Sequence, residues 1–226
     1  MSIIDVSDVC QFVNANNFEN VRDFCESNDI CVKQTDDLYL VANSKNQYVK
    51  SSGKLLLEKQ EEFTNEKQEE KQEEFTNEKQ EEKQEEFTNE KLLKFKNQCN
   101  GLIFERSTNK IICMCQPKIS ELSCHADAIN LVKQNYNSNI RLEYCEDGTI
   151  IRLYNYNNTW YTATTKCIDA NNSFWSSKKN FDTMFWEIFD SSLLPTLDKN
   201  FTYIFVLLHK ENRIVVKHNV NMLVYI

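Results

Sequence analysis

The 226-residue chain predicts an α+β fold, a mostly antiparallel sheet with helices packed on it. Three observations carry that prediction. From Gly148 onward, aromatic and β-branched residues alternate with polar ones at the two-residue period of a strand. Two apolar runs, Gly101–Glu105 and Ile111–Cys115, flank the short polar turn Arg106–Lys110 and read as a hairpin. No β-α-β rhythm with a phosphate loop appears: the three glycines, Gly53, Gly101 and Gly148, are isolated and form no G-x-G-x-x-G or P-loop pattern.

The elements follow in order. Residues 7–27 read as helical, with apolar positions at Val9, Phe12, Val13, Phe18, Val21 and Phe24. Asp37–Ala42 reads as a strand, which removal of residues 58–91 would bring next to Gly101–Glu105. Leu122–Gln134 reads as a helix followed by an Asn-rich turn. Ile150–Tyr156 and Thr159–Cys167 form a second hairpin around Asn157-Asn158, because asparagine tolerates the positive φ of a tight turn. Ser173–Ser177 leads into an aromatic-rich helix over Phe181–Phe189, whose apolar side packs on a sheet, and Pro195 ends the segment. Phe201–Leu208 reads as a buried strand and His209–Arg213 as a polar turn. Ile214–His218 and Met222–Ile226 read as the last strands.

Residues 58–91 are of another kind. Lys59–Glu70 reads KQEEFTNEKQEE, Lys71–Glu82 repeats it unchanged, and Lys83–Lys91 begins a third copy. A step of 12 residues on an α-helix turns Phe63, Phe75 and Phe87 by about 120° each, so they make no apolar stripe. The segment holds 14 Glu and 6 Lys, a net −8, which equals the charge of the whole chain. The remainder therefore balances at 20 acidic and 20 basic residues. The insert reads as a solvated helix with i,i+4 Glu/Lys pairs or as disordered chain, a tolerated loop expansion. The functional alternative is a tether or a docking site for a basic protein partner.

The rest of the composition bounds the setting. Asparagine is the commonest residue and lysine outnumbers arginine, a bias that fits an AT-rich genome. The start, Met-Ser-Ile-Ile-Asp, lacks the positive segment of a signal peptide, and the longest apolar stretch, Tyr203–Leu208, is too short to span a bilayer. A soluble, cytoplasmic protein with no membrane partner is expected, with its nine cysteines reduced. Cys113-x-Cys115, alternating on a strand and so facing one side of a sheet, and Cys124-His125 are the candidate zinc ligands. No C-x-x-C accompanies them, so no metal site is assigned and they read as small buried hydrophobes.

Several segments taken together resemble the nucleotidyltransferase domain of the ATP-dependent RNA ligases, and in particular the divergent versions encoded by large DNA viruses. They are Gly101–Glu105, Asp147–Tyr154, Thr165-Lys166, Ile168–Ala170, Trp175–Lys178 and Glu211–Val216. The likeness runs over residues 95–226 and more loosely over 1–50, by order and spacing of motifs rather than by one match. It implies one ligase-like domain over 1–226, interrupted by the 58–91 insert, with ATP and Mg²⁺ as the family's cofactors and a nucleotide or RNA as ligand.

The resemblance also locates departures. In the family a lysine in Lys-x-Asp-Gly attacks the α-phosphate of ATP and forms a phosphoramide adduct, which requires an uncharged amine. This chain has Cys145 at that position, in Cys145-Glu146-Asp147-Gly148. A thiolate is nucleophilic, but its shorter reach and thiophosphate adduct change the chemistry. The family's third motif has a glutamate where Phe205-Val206-Leu207 has Val206, and its last two motifs fall beyond Arg213, where the sequence reads as truncated at Ile226. The resemblance thus implies a non-catalytic relative that binds a nucleotide, an RNA end or a protein through the old cleft. An active divergent ligase, and a structural or host-interaction protein acting through the acidic repeat, are the alternatives. The matching nucleotide- or phosphate-binding positions are Lys118, Asp147, Gly148, Arg152, Lys166 and Arg213; Lys178 and Lys179 add positive charge nearby.

Overall fold

A computed structural model describes residues 6–43, 89–116, 124–135 and 144–226. Two helices, α1 (Ser7–Ala15) and α2 (Phe18–Ser27), lead into strands β1 (Ile30–Gln34) and β2 (Leu38–Asn43). Helix α3 (Asn89–Gln98) precedes the hairpin β3 (Asn100–Glu105) and β4 (Ile111–Cys113), and α4 is His125–Asn135. The remainder holds β5 (Thr149–Tyr156), β6 (Thr159–Ala163), α5 (Phe181–Trp186), β7 (Tyr203–Leu208) and β8 (Met222–Tyr225). The strands form two four-stranded sheets, in the orders β1-β2-β3-β4 and β6-β5-β7-β8, and every pairing is antiparallel. The α+β class read from the sequence is the class observed.

The layers follow from the two-residue period. Tyr39 and Val41 of β2 and Leu102 and Phe104 of β3 face a cluster made with Val9, Val13, Val21 and Phe95 of α1, α2 and α3. Their neighbours Leu38, Leu40, Ala42 and Ile103 face the opposite way, against Tyr154, Ala163 and Ile168 of the second half. β2 is therefore apolar at nearly every position because both of its faces are covered. On the second sheet, Ile151 and Leu153 of β5 pack on Phe181, Met184 and Phe185 of α5. The order of layers is helices, first sheet, second sheet, α5.

Local chemistry sets the boundaries. The helix expected over 7–27 is two helices. Asn16 is extended, and the Asn17 side chain accepts the Asn20 N–H at 2.9 Å as an N-cap, so the backbone restarts there. Asn157 and Asn158 both have positive φ, 49° and 62°, as the expected tight turn requires. The helix expected from Leu122 begins at His125 among the described residues. The aromatic helix ends at Trp186, and the strand expected from Phe201 starts at Tyr203.

Two further readings are corrected. Ile214–His218 is not a strand: the Val215 and Val216 amides donate to the Asp147 carboxylate at 2.9 and 2.6 Å instead of to a ladder. Cys113 and Cys115 do not share a face. β4 ends at Cys113, which packs between the sheets, whereas Cys115 packs with the helices. Strand β1 and helix α3 were not foreseen; α3 buries Phe95 and seats Gln98, whose Oε1 accepts the Val9 N–H of α1 at 3.1 Å. Residues 58–88, most of the repeat, lie outside the described residues. Among the described residues no helix is long and apolar enough to cross a membrane.

Candidate functional site

The two sheets meet at a junction built by Gly101, Arg152 and Thr165. Gly101 has φ +93°, and a Cβ there would stand 2.4 Å from the Thr165 carbonyl oxygen. Only glycine allows both that conformation and that approach. Arg152 points from β5 into the same junction and is completely buried. Its guanidinium donates to the carbonyls of Gly101 in the first sheet, Met114 (3.1 Å) after β4, and Thr164 (2.5 Å) after β6. One side chain thus ties three backbone segments.

Beside this junction opens a cleft of about 520 Å³. Asn100 and Gln116 form its wall from the first half. Thr149, Thr164, Thr165, Lys166 and Trp175 come from the second half, with Phe181 and Ile214 as apolar lining. Trp175 is 64 % exposed. Among the described lining residues there is one cation, Lys166, and no carboxylate. Two buried polar atoms without a hydrogen-bond partner among the described residues lie one hydrogen bond behind the lining. Arg152, bonded to the Thr164 carbonyl, keeps a partnerless Nε. Asn212 donates to Thr149 Oγ1 at 2.8 Å and keeps a partnerless Oδ1.

The sequence-derived positions distribute unevenly around this cleft. Lys166 lines it. Cys145 is exposed, lies outside the lining, and has no hydrogen-bonding or ionic partner among the described residues. Asp147 organises backbone: besides the Val215 and Val216 amides, His218 Nε2 lies 2.5 Å from the Asp147 carbonyl. Gly148 is a packing position, since a Cβ there would meet Val206 Cγ1 at 2.6 Å and the Leu207 carbonyl at 2.7 Å. Val206 is itself buried in β7, opposite Ile150. The Nη1 and Nη2 donors of Arg152 are occupied by carbonyls. Arg213 is exposed outside the lining, its Nε 3.4 Å from the Val215 carbonyl. Lys118 lies outside the described residues, and Lys178 is exposed and off the lining.

Lys179 belongs to a polar cluster that sequence reasoning missed. Its ammonium bridges Glu187 and Glu211, each at 2.9 Å. Those hydrogen bonds hold both carboxyls below the usual glutamate range and raise the lysine. Buried His209 sits between them: its Nδ1 accepts the Glu211 N–H at 3.1 Å and its Nε2 lies 3.2 Å from Glu187. The cluster fixes the turn that places Asn212 behind the lining and leads to Ile214 in it. The sequence signal for Trp175 is an aromatic pair, Phe174-Trp175, in an otherwise polar segment, and its exposure is a property of the fold.

The amide bonds to Asp147 predict a pH dependence. They are the main cause that lowers its carboxyl below the ordinary aspartate value. A group depressed in the folded state stabilises fully above its unfolded pKa of about 3.9 and loses that contribution as pH falls through the lower folded value. Asp147→Asn should therefore speed hydrogen exchange at the Val215 and Val216 amides at neutral pH. The difference from wild type should shrink as the pH falls below the unfolded value of about 3.9 and through the lower value of the folded carboxyl. Equal exchange in the two proteins at pH 7 would contradict this role.

Among the described residues no three His, Cys, Asp or Glu side chains converge as a metal-holding group. The buried thiols instead sit in apolar surroundings; burial pushes Cys25 up to about 12 and also raises Cys113 and Cys115. Compared with known proteins, the chain matches no family model, no curated protein and no solved structure.

Proposed function

We propose that this chain is a ligase-like domain that binds a nucleotide or an RNA end non-covalently in the cleft beside the Arg152 junction and does not transfer the nucleotide. The observation that carries the reading is the donor set of the cleft: an exposed indole, threonine hydroxyls and one lysine, with no carboxylate among the described lining residues and Cys145 off the lining. An indole face stacks on any base, and a single lysine answers one phosphate. Those lining residues do not fit a magnesium–triphosphate, which needs carboxylate or equivalent oxygen ligands for the metal. The motif resemblance, including its viral character, gives the ligand class.

Calorimetric titration of AMP, ATP and a short 5′-phosphorylated RNA tests the reading. At least one should bind, with Trp175→Ala and Lys166→Ala each weakening it about 5- to 100-fold, the range of one lost stacking or charge-assisted contact. Unchanged binding in both variants would remove the cleft from the account. Deleting residues 58–91 should leave this affinity unchanged.

A further inference from the structure

We propose that β8 is a self-association edge, pairing antiparallel with β8 of a second copy of this chain; this stands independently of any ligand in the cleft. β8 is the last strand in the order β6-β5-β7-β8. The Ile226 N–H donates to the Ile204 carbonyl at 3.0 Å, and the register pairs Val206 with Val224 and Leu208 with Met222. Hydrogen bonding alternates along an antiparallel strand, so Met222, Val224 and Ile226 direct their backbone groups to β7. Leu223 and Tyr225 direct theirs outward, to the open edge.

Among the described residues the edge carries none of the usual protections. Natural edges are blunted by lysine, proline, a bulge or a covering element. β1 carries exposed Lys33, β4 has three residues, and the Ala170–Asn172 turn packs on β6. Asn219–Ile226 has no charged residue and no proline. Its apolar side chains stand out on both faces: Met222 is 42 %, Ile226 54 % and Tyr225 63 % exposed.

What selects a second copy as the occupant is that the strand complements itself. A two-fold axis through Val224 sets Leu223 of one copy opposite Tyr225 of the other, and the reverse. The outward N–H and C=O groups of those residues then make four hydrogen bonds. Tyr225 already rests on Phe205 and Tyr203, with ring centroids at 5.6 and 6.4 Å, on the face that holds α5. In the pair it adjoins Leu223 of the second copy, so that apolar cluster continues across the axis. On the other face Met222 adjoins Ile226, and Val224 meets its own equivalent in a non-hydrogen-bonded pair, where side chains stand closest. A strand pair of this length buries less than the roughly 1,200 Å² of a standard interface, so the association is weak and concentration-dependent.

Sedimentation of the full chain tests this. Between about 5 and 500 µM, in about 0.15 M salt to screen the acidic repeat, the mean mass should rise from that of one 26.7 kDa chain toward twice that. Val224→Glu and Val224→Lys each oppose like charges at the axis and should remain monomeric, while their equimolar mixture should associate again. Tyr225→Pro removes an outward N–H that β7 does not use and should also abolish association, with a melting curve showing that the variant is folded. A wild type that stays monomeric at the highest concentration would overturn the proposal. So would charge variants that associate like the wild type, or a mixture that associates no more than its parts.

Discussion

Replacing Arg152 by methionine should cost about 4 kcal/mol or more of unfolding free energy, a large part of the stability of an ordinary domain. The size follows from what is left behind. Three backbone carbonyls, of Gly101, Met114 and Thr164, each lose a guanidinium hydrogen bond inside the junction of the two sheets, although Thr164 keeps the Cys167 N–H at 3.4 Å and Met114 the Cys113 thiol at 3.5 Å. A hydrogen bond to a charged group contributes about 1.5–3 kcal/mol. Arg152→Lys should recover only part of the loss, because an ammonium on a single stem cannot span three carbonyls as the guanidinium fork does. Urea unfolding of the three proteins checks this. A methionine variant with an unchanged midpoint would show that the junction does not depend on Arg152.

Gly101→Ala should be of comparable severity, roughly 3 kcal/mol or more, through two separate penalties. The backbone at φ +93° is one that an alanine rarely adopts, and its Cβ would sit 2.4 Å from the Thr165 oxygen. Relief requires the first sheet to draw away from the second, which also pulls the Gly101 carbonyl off Arg152. Gly101→Ala and Arg152→Met should therefore be strongly non-additive in a double-mutant cycle. Additive losses would mean that the two residues act on different parts of the fold.

Much of the fold was legible because one face of an element wrote itself into the sequence. The β5–β6 hairpin shows its two-residue alternation and its Asn157-Asn158 turn, and the β3–β4 hairpin its polar turn. What failed had local polar chemistry competing with a pattern. Asn16-Asn17 looks like a tolerable interruption in an apolar helical repeat, yet the Asn17 side chain makes it a boundary. Ile214-Val215-Val216 has the composition of a strand, but Asp147, far away in sequence, takes its amides. β1 carries Lys33 and Gln34 and gives little apolar signal, as an edge strand does.

The site was legible in one residue and opaque in the others for a related reason. A positive charge in a sequence does not show whether it meets solvent or carbonyls. Lys166 reaches the cleft, whereas Arg152 is consumed by three carbonyls, and Asp147 and Gly148 serve the backbone around β7. Trp175 lines the cleft for the opposite reason: an aromatic in a helix-leading segment reads as core, and its exposure becomes visible only when the packing of α5 is known.

The central claim, binding without transfer, is tested most directly on one sample. Purified protein is incubated with α-labelled ATP or GTP and Mg²⁺ or Mn²⁺ and divided between a native filter and a denaturing gel. Retention on the filter that depends on Lys166 and Trp175, with no labelled band on the gel, is the predicted result. A band that survives denaturation and disappears in Cys145→Ala would contradict the account, because it would place a working nucleophile at a position outside the cleft lining.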